Sequence, residues 1–179
     1  MPAPLQFIHA HGLTAREAAP LSAHLPRTIA TDAIVRIYQG PRFVMVETAE
    51  HQIPFNGTLD ELVRATKKLF PSVHLQTEEG WQLVNLRAIS AILTCDEGRH
   101  DVGLVSYAVL RIGSPSVLID LVSGVGPVER IQRGRSLWTV PVRHILGLDN
   151  GTVFVRGGHQ LKFTEPSEAV EHRLSAPIS

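Results

Sequence analysis

The segment from His51 to Ile92 most constrains how this chain can fold, because it combines clear helix signals with strand-forming runs on both sides. Thr58-Leu-Asp-Glu61 is a capping box, in which a threonine hydroxyl and a glutamate carboxylate accept hydrogen bonds from free backbone N–H groups. An apolar stripe at helical spacing follows, and Pro71 cannot continue a helix. The sequence therefore predicts a helix from Thr58 to Phe70.

Runs of β-branched and aromatic residues on both sides of this helix predict an antiparallel sheet. The runs before the helix are joined by tight turns, as in a meander. The predicted strands are Ala33–Tyr38, Arg42–Thr48, His51–Phe55, Val73–Thr77, Trp81–Leu86, Ile89–Thr94 and Gly103–Ile112. We expect a β-rich α+β fold, built from antiparallel meander sheets that are each covered by a short helix. We expect Asn85, inside a strand, to tie a turn together rather than to act in a site.

The chain divides into three parts on sequence grounds. Residues 1–32 form a lead-in, with a predicted strand at Leu5–Ile8 and a short helix at Thr14–Leu25. The best candidate boundary is Gly113–Ser116, which gives one module at 33–112 and a second at 113–179. Within the second module a strand is predicted around Leu137–Val142 and a closing helix at Glu165–Leu174. The apolar run 117–122 and the basic segment 129–135 are not assigned to an element.

Two pentads indicate an internal repeat. His51-Gln-Ile-Pro-Phe55 matches His159-Gln-Leu-Lys-Phe163, and each is followed by a predicted amphipathic helix. Upstream, Ile34–Ile37 corresponds to Ile145–Leu148. Apolar meanders also resemble one another by chance, but the shared position relative to a helix favours a duplicated unit of hairpin, strand and helix.

Composition limits the possible environment and partners. Lys and Arg together number 17, as do Asp and Glu, so no overall field draws the chain to a polyanion, although a local basic patch could still do so. Cys95 is the single cysteine, which excludes an internal disulfide and fits a reducing cytoplasm. No targeting signal or membrane-spanning run stands out, so we expect a cytoplasmic protein.

Catalytic and metal-binding patterns are weak. The sequence has no nucleophile elbow and no P-loop, and Gly124-Val-Gly126 lacks the third glycine of a dinucleotide-binding loop. His9 and His11 alternate along a predicted strand, but spacing places no third ligand beside them. We therefore predict that the protein is not an enzyme and uses no cofactor or metal.

Residues 33–92, and the chain onward to about Arg111, resemble the LytTR output domain of bacterial response regulators. The resemblance is carried by Gly57-Thr-Leu-Asp-Glu-Leu62, by His74 and by Leu83-Val-Asn-Leu-Arg-Ala-Ile89-Ser-Ala-Ile92. The segment Ile145–Leu174 resembles a partial second copy, and also small flagellar regulators of the FlbD type. The resemblance implies a ten-stranded β fold whose loops bind duplex DNA. The chain departs from the family at Glu78-Glu79, which would place carboxylates near phosphate. We also expect the module to lack a receiver domain.

The resemblance implies DNA contacts at three loops, and composition adds a fourth group. The first loop is Gln39 to Arg42, the second includes His74 and Gln76, and the third lies near Arg111. Arginine reads guanine or phosphate, and glutamine reads adenine. Arg130, Arg133 and Arg135 form a local basic excess that predicts phosphate contacts, with a solvated loop as the alternative.

These observations predict a DNA-binding transcriptional regulator that lacks a receiver domain and that can form a homodimer. The alternative is a protein-interaction or assembly module that keeps the scaffold without DNA contacts, in which exposed sheet edges pair with a second copy or another partner.

Overall fold

The computed structural model describes residues 7–9, 28–55, 57–95, 98–113 and 116–175. The helix predicted at Thr14–Leu25 and the side chain of His11 lie outside these residues. The described chain divides into two compact units, one ending at Ala88 and the other beginning at Ile89. The boundary expected at Gly113–Ser116 lies within the second unit, and the division into two LytTR-like modules remains a prediction.

The first unit is a set of antiparallel strands with one helix. Its five longer strands are adjacent in the order β6-β7-β3-β4-β5, and β1 pairs with β2 in a separate two-stranded sheet. The elements are β1 (Phe7–His9), β2 (Thr28–Ala30), β3 (Arg36–Gln39), β4 (Val44–Glu47), β5 (Gln52–Phe55), α1 (Leu59–Thr66), β6 (Ser72–Thr77) and β7 (Gly80–Asn85).

Helix α1 begins where the sequence predicts. The hydroxyl of Thr58 accepts a hydrogen bond from the Glu61 backbone N–H, and the Glu61 carboxylate accepts one from the Thr58 N–H, so the capping box is confirmed. The hydrogen bond from the Thr58 N–H stabilises the ionised carboxylate and lowers the pKa of Glu61. The helix buries Leu62 and Val63 in a core shared with strands β3, β4, β5 and β7. It ends at Thr66 rather than at Phe70, because residues 67–70 form a turn before Pro71.

Asn85 has the structural role that was expected of it. Its side chain is buried, and its Nδ2 atom donates a hydrogen bond to the Ile34 carbonyl at 2.8 Å. Its Oδ1 atom accepts a hydrogen bond from the backbone N–H of Arg87 at 3.0 Å. Asn85 therefore holds the short 3-10 turn Leu86–Ala88 against the start of the sheet.

The second unit contains five strands in the order β11-β12-β8-β9-β10, and a three-stranded group in the order β13-β14-β15. Its core includes Ile131, Val140, Val153, Leu161 and Val170, contributed by both groups and by the last helix. The elements are β8 (Ile89–Thr94), β9 (His100–Leu104), β10 (Val109–Ile112), α2 (Ser116–Gly124), β11 (Val128–Arg133), β12 (Ser136–Pro141), β13 (Ile145–Asp149), β14 (Thr152–Val155), β15 (His159–Lys162) and α3 (Ser167–Ser175).

The β-rich, antiparallel character predicted from the sequence is confirmed. The described residues contain three α-helices, of which α2 was not predicted. Helix α2 forms from the unassigned run 117–122, because Leu118 and Val122 lie one turn apart and are both buried. The basic segment after it, also unassigned from sequence, provides strand β11.

The order of elements repeats three times along the described chain. A 3-10 turn, three antiparallel strands and a helix follow one another in 31–66, in 86–124 and in 142–175. The sequence match detected the first and third of these segments. The middle one was missed because it lacks the shared His-Gln pentad and because its helix was not predicted. In this pattern the β6–β7 and β11–β12 hairpins occupy equivalent places.

Candidate nucleic-acid interface

The β11–β12 hairpin presents the predicted basic segment on a short turn. Arg133 pairs with Ser136 across the hairpin, and only Gly134 and Arg135 lie between them. Gly134 has a φ of 57°, a left-handed conformation that glycine adopts without a Cβ clash. Arg133 and Arg135 are exposed, whereas Ile131 further along β11 is fully buried. The core thus fixes one end of the hairpin and the arginines project at the other.

Arg130 does not lie on the same face of the hairpin as Arg133. Side chains alternate along a strand, so an odd separation places these two on opposite faces. Arg133 shares its face with Trp138, and its guanidinium carbon is 5.9 Å from the centre of the indole ring. Arg130 shares the other face with the exposed Gln132. The three predicted arginines therefore surround the hairpin instead of forming one flat strip.

Arg173 of α3 pairs with the two carboxylates nearest this hairpin. Its Nε atom lies 2.6 Å from Glu129 Oε1, and its Nη1 atom lies 2.8 Å from Glu165 Oε2. The hydrogen bond from Arg173 is the main reason that the pKa of Glu165 is lowered, and the backbone N–H of Gln132 also donates to this carboxylate. These pairs reduce the negative potential beside the hairpin, and Arg130, Arg133 and Arg135 leave it locally basic.

The chain that precedes α3 braces the same hairpin. The Thr164 hydroxyl accepts a hydrogen bond from the Gly134 N–H at 2.9 Å, and the Thr164 N–H donates to the Gln132 carbonyl at 2.9 Å. The indole N–H of Trp138 donates to the Lys162 carbonyl at 2.9 Å. The turn and the outer edge of β11 are therefore held in a defined conformation, which reduces the ordering cost of binding a ligand there.

The second predicted loop lies on the β6–β7 hairpin. His74 and Gln76 are exposed on one face of β6, and Gln76 stands opposite Trp81 of β7, which is 61% exposed. Gln76 donates to the adjacent Thr77 carbonyl at 3.2 Å. The turn that follows carries Glu78 and Glu79, both exposed. These carboxylates oppose phosphate at the same end of the hairpin.

The first predicted loop is the β3–β4 turn, where Gln39 and Arg42 are both exposed. Gln39 donates to the Gly40 carbonyl at 3.0 Å. Gly40 is required by packing, since a Cβ there would lie 2.9 Å from the Cγ atom of Met45. The loop can present one cation and one amide to a ligand.

Arg111, the third predicted position, is on β10 and has an acidic partner. Its Nε atom lies 3.1 Å from Asp101 Oδ1 on the neighbouring strand β9. Both residues line a cavity of about 180 Å³ together with Cys95 and Arg99. The carboxylate offsets part of the charge that Arg111 could offer to phosphate.

No pattern in the sequence indicates the role of Arg173. It is 44 residues from Glu129 in the chain, so their ion pair depends on the tertiary structure. The structure also places Trp81 and Trp138 next to predicted contact residues on two hairpins.

Within the described ranges, no three His, Cys, Asp or Glu side chains are grouped so that they could hold a metal ion. Among the same residues, no helix has both the length and the apolar character needed to cross a membrane.

Comparison with family models, with curated protein sequences and with solved structures gave no match. The resemblance to the LytTR domain therefore depends only on the residues quoted for it.

Proposed function

We propose that this protein is a DNA-binding transcriptional regulator and that the β11–β12 hairpin is its main contact with the duplex. The observation that carries the proposal is the pairing of Arg173 with Glu129 and Glu165 beside an arginine-bearing turn. A two-stranded ribbon fits the major groove, where arginines can reach guanine edges or the flanking phosphates. Arg130 and Arg133, on opposite faces, are suited to contacts with the two walls of such a groove.

The other predicted residues have secondary roles in this proposal. Gln39 and Arg42 add a contact at the β3–β4 turn, and His74 and Gln76 add base-edge or sugar contacts. Arg111 contributes least, because Asp101 competes for its guanidinium. Because the whole chain has no net charge, its affinity for DNA comes from local contacts with phosphate. That affinity therefore depends strongly on salt concentration.

The test is binding of the full chain to a labelled random duplex, followed by fluorescence anisotropy over a series of NaCl concentrations. Each phosphate contact contributes about −0.9 to the slope of log affinity against log salt, so replacing Arg130, Arg133 and Arg135 together by Ala should flatten the slope by about 2 to 3.

The matched control replaces three exposed cations near α1, Arg64, Lys67 and Lys68, by Ala. This variant has the same change in net charge and should retain the wild-type slope. An unchanged slope in the hairpin variant, or no binding by the wild type at low salt, contradicts the proposal.

A second candidate function is that of a protein-interaction module that does not bind DNA. Two observations favour it. Each compact unit is neutral, with eight acidic and eight basic residues up to Ala88 and nine of each from Ile89 onward, which together give the 17 and 17 of the chain. Val117 and Leu121, one turn apart on α2, are 68% and 38% exposed. Absence of DNA binding at low salt, together with weaker partner or self-association after Val117→Ser and Leu121→Ser, would favour this function.

A further inference from the structure

The β6–β7 and β11–β12 hairpins have turns of the same length but carry opposite charges at their tips. In β6–β7, Thr77 pairs with Gly80, and the two residues between them are Glu78 and Glu79. In β11–β12, Arg133 pairs with Ser136 across an equally short turn that contains Arg135. The two hairpins also occupy equivalent places in the repeated order of elements.

The chemistry of the acidic tip suits a guanidinium group. Glu78 and Glu79 are exposed, and 71% of the Glu79 side chain is accessible to solvent. The Glu79 Oε2 atom lies 3.8 Å from Nη1 of the buried Arg36 and accepts a hydrogen bond from Gln82 Nε2 at 3.4 Å. The sheet therefore orients this carboxylate. Trp81 is exposed on the opposite face of β7 from Gln82, the residue to which Glu79 is bonded, so the two carboxylates form the acidic tip without the indole ring. Carboxylates bind arginine through charge-assisted hydrogen bonds.

We propose that the acidic tip, Glu78 and Glu79, binds the basic tip, Arg133 and Arg135, of a second copy of this chain. The second copy is the indicated partner because it carries two exposed arginines on a turn of the same size, which match two exposed glutamates in number and sign. Such a contact joins different patches of the two copies, so it forms either a closed assembly or an open chain of copies. It is weak and reversible because its charges are exposed.

This inference goes beyond DNA binding and does not depend on it. If the same arginines also bind DNA, then DNA and the acidic tip of another copy compete for one surface. Added duplex should then dissociate the self-associated form, and self-association should lower the apparent affinity for DNA.

The experiment is sedimentation velocity of the full chain over a concentration series at low salt. Wild-type protein should self-associate, and the association should weaken by roughly tenfold or more as NaCl is raised towards 1 M, where screening acts within about 3 Å. Glu78→Arg with Glu79→Arg, and separately Arg133→Glu with Arg135→Glu, should each abolish the association.

Mixing the two charge-reversed variants gives the decisive result. In each variant alone, both tips carry charge of the same sign. In the mixture, the reversed tip of one variant is basic and the reversed tip of the other is acidic, so these two tips are complementary. A complex of the two variants should therefore form, which also demonstrates that both are folded. The matched control, Glu168→Arg with Glu171→Arg on the exposed face of α3, should self-associate like the wild type.

A wild-type chain that stays monomeric at every concentration overturns the proposal, as does a mixture of reversed variants that remains separate. Failure of DNA binding is recognised independently. The anisotropy of the wild-type chain with duplex, measured at protein concentrations below those that give self-association, reports on the DNA proposal by itself.

Discussion

A buried ion pair organises one face of the first unit at the residue scale. Arg36 is 7% exposed and Glu47 is 2% exposed, and the Arg36 Nη2 atom lies 2.7 Å from Glu47 Oε2. The Arg36 Nη1 atom donates to Gln82 Oε1 at 2.9 Å, and its guanidinium stacks 4.4 Å from the centre of the Tyr38 ring. Burial raises the pKa of Tyr38, against the opposing effect of Arg36. The hydrogen bonds compensate the cost of burying these charges.

Removing one member of this pair should destabilise the protein strongly. Arg36→Met leaves the Glu47 carboxylate buried without its cation, which should lower the free energy of unfolding by about 3–5 kcal/mol. The measurement is urea unfolding of the full chain followed by circular dichroism. Adding Glu47→Leu to Arg36→Met should recover much of the loss. Arg64→Met, at an arginine whose side chain is 77% exposed, should cost no more than about 0.5 kcal/mol. Equal effects of Arg36→Met and Arg64→Met would refute the buried-charge explanation.

At the scale of single elements, features encoded by residues close together in the chain were easier to predict than features that depend on distant residues. The start of α1 was predicted because its cap and capped groups lie within four residues, Thr58 to Glu61. Helix α2 was missed because an apolar run such as 117–122 fits a buried strand as well as a helix. The connection of α3 to β11 through Arg173 joins residues far apart in the chain.

The tie between α3 and β11 predicts a dependence of stability on pH. The pKa of Glu165 is lowered from its ordinary value of 4.5 on folding, chiefly by the Arg173 hydrogen bond. A carboxyl group with a lowered pKa stabilises the folded state above its unfolded pKa, and this contribution is lost as the pH falls through the folded value. Glu165→Gln should therefore reduce the melting temperature at pH 7 by about 2–4 °C, for a partly exposed pair worth about 1 kcal/mol.

The difference between Glu165→Gln and the wild type should shrink when melting is measured at pH values progressively below 4.5. Glu168→Gln, at an exposed position on the same helix, is the control and should show no such trend. A difference in melting temperature that is constant from pH 7 down to pH 3 would show that the Glu165 carboxylate does not stabilise the fold through its charge.

At the scale of the whole molecule, neutrality dominates the behaviour in solution. The chain has no net charge at pH 7 when its nine histidines are neutral. Proteins without net charge associate and precipitate more readily than charged ones. The β6–β7 and β11–β12 tips depart locally from this neutrality, the first with two glutamates and the second with two arginines.

Giving the chain a net charge should therefore increase its solubility. Replacing Arg64, Lys67 and Lys68 by Ala removes three exposed cations, so the net charge at pH 7 changes from zero to −3. This charge should raise the polyethylene glycol concentration needed to precipitate half of the protein. Circular dichroism of the wild type and the variant checks that the fold is retained. A folded variant that is less soluble than the wild type would contradict this prediction.

The sequence by itself determined the local features of this protein: the capped start of α1, the tight turns and the alternation that places Arg130 and Arg133 on opposite faces of β11. Each depends on residues close in the chain or on a simple alternation of side chains. Only the tertiary structure decided that Arg36 is buried against Glu47, that Asn85 bonds to Ile34, and that Arg173 pairs with Glu129 and Glu165. Those outcomes depend on which strands become neighbours and which helix packs over them. This arrangement depends on the total apolar surface that the whole chain buries, so no short segment encodes it.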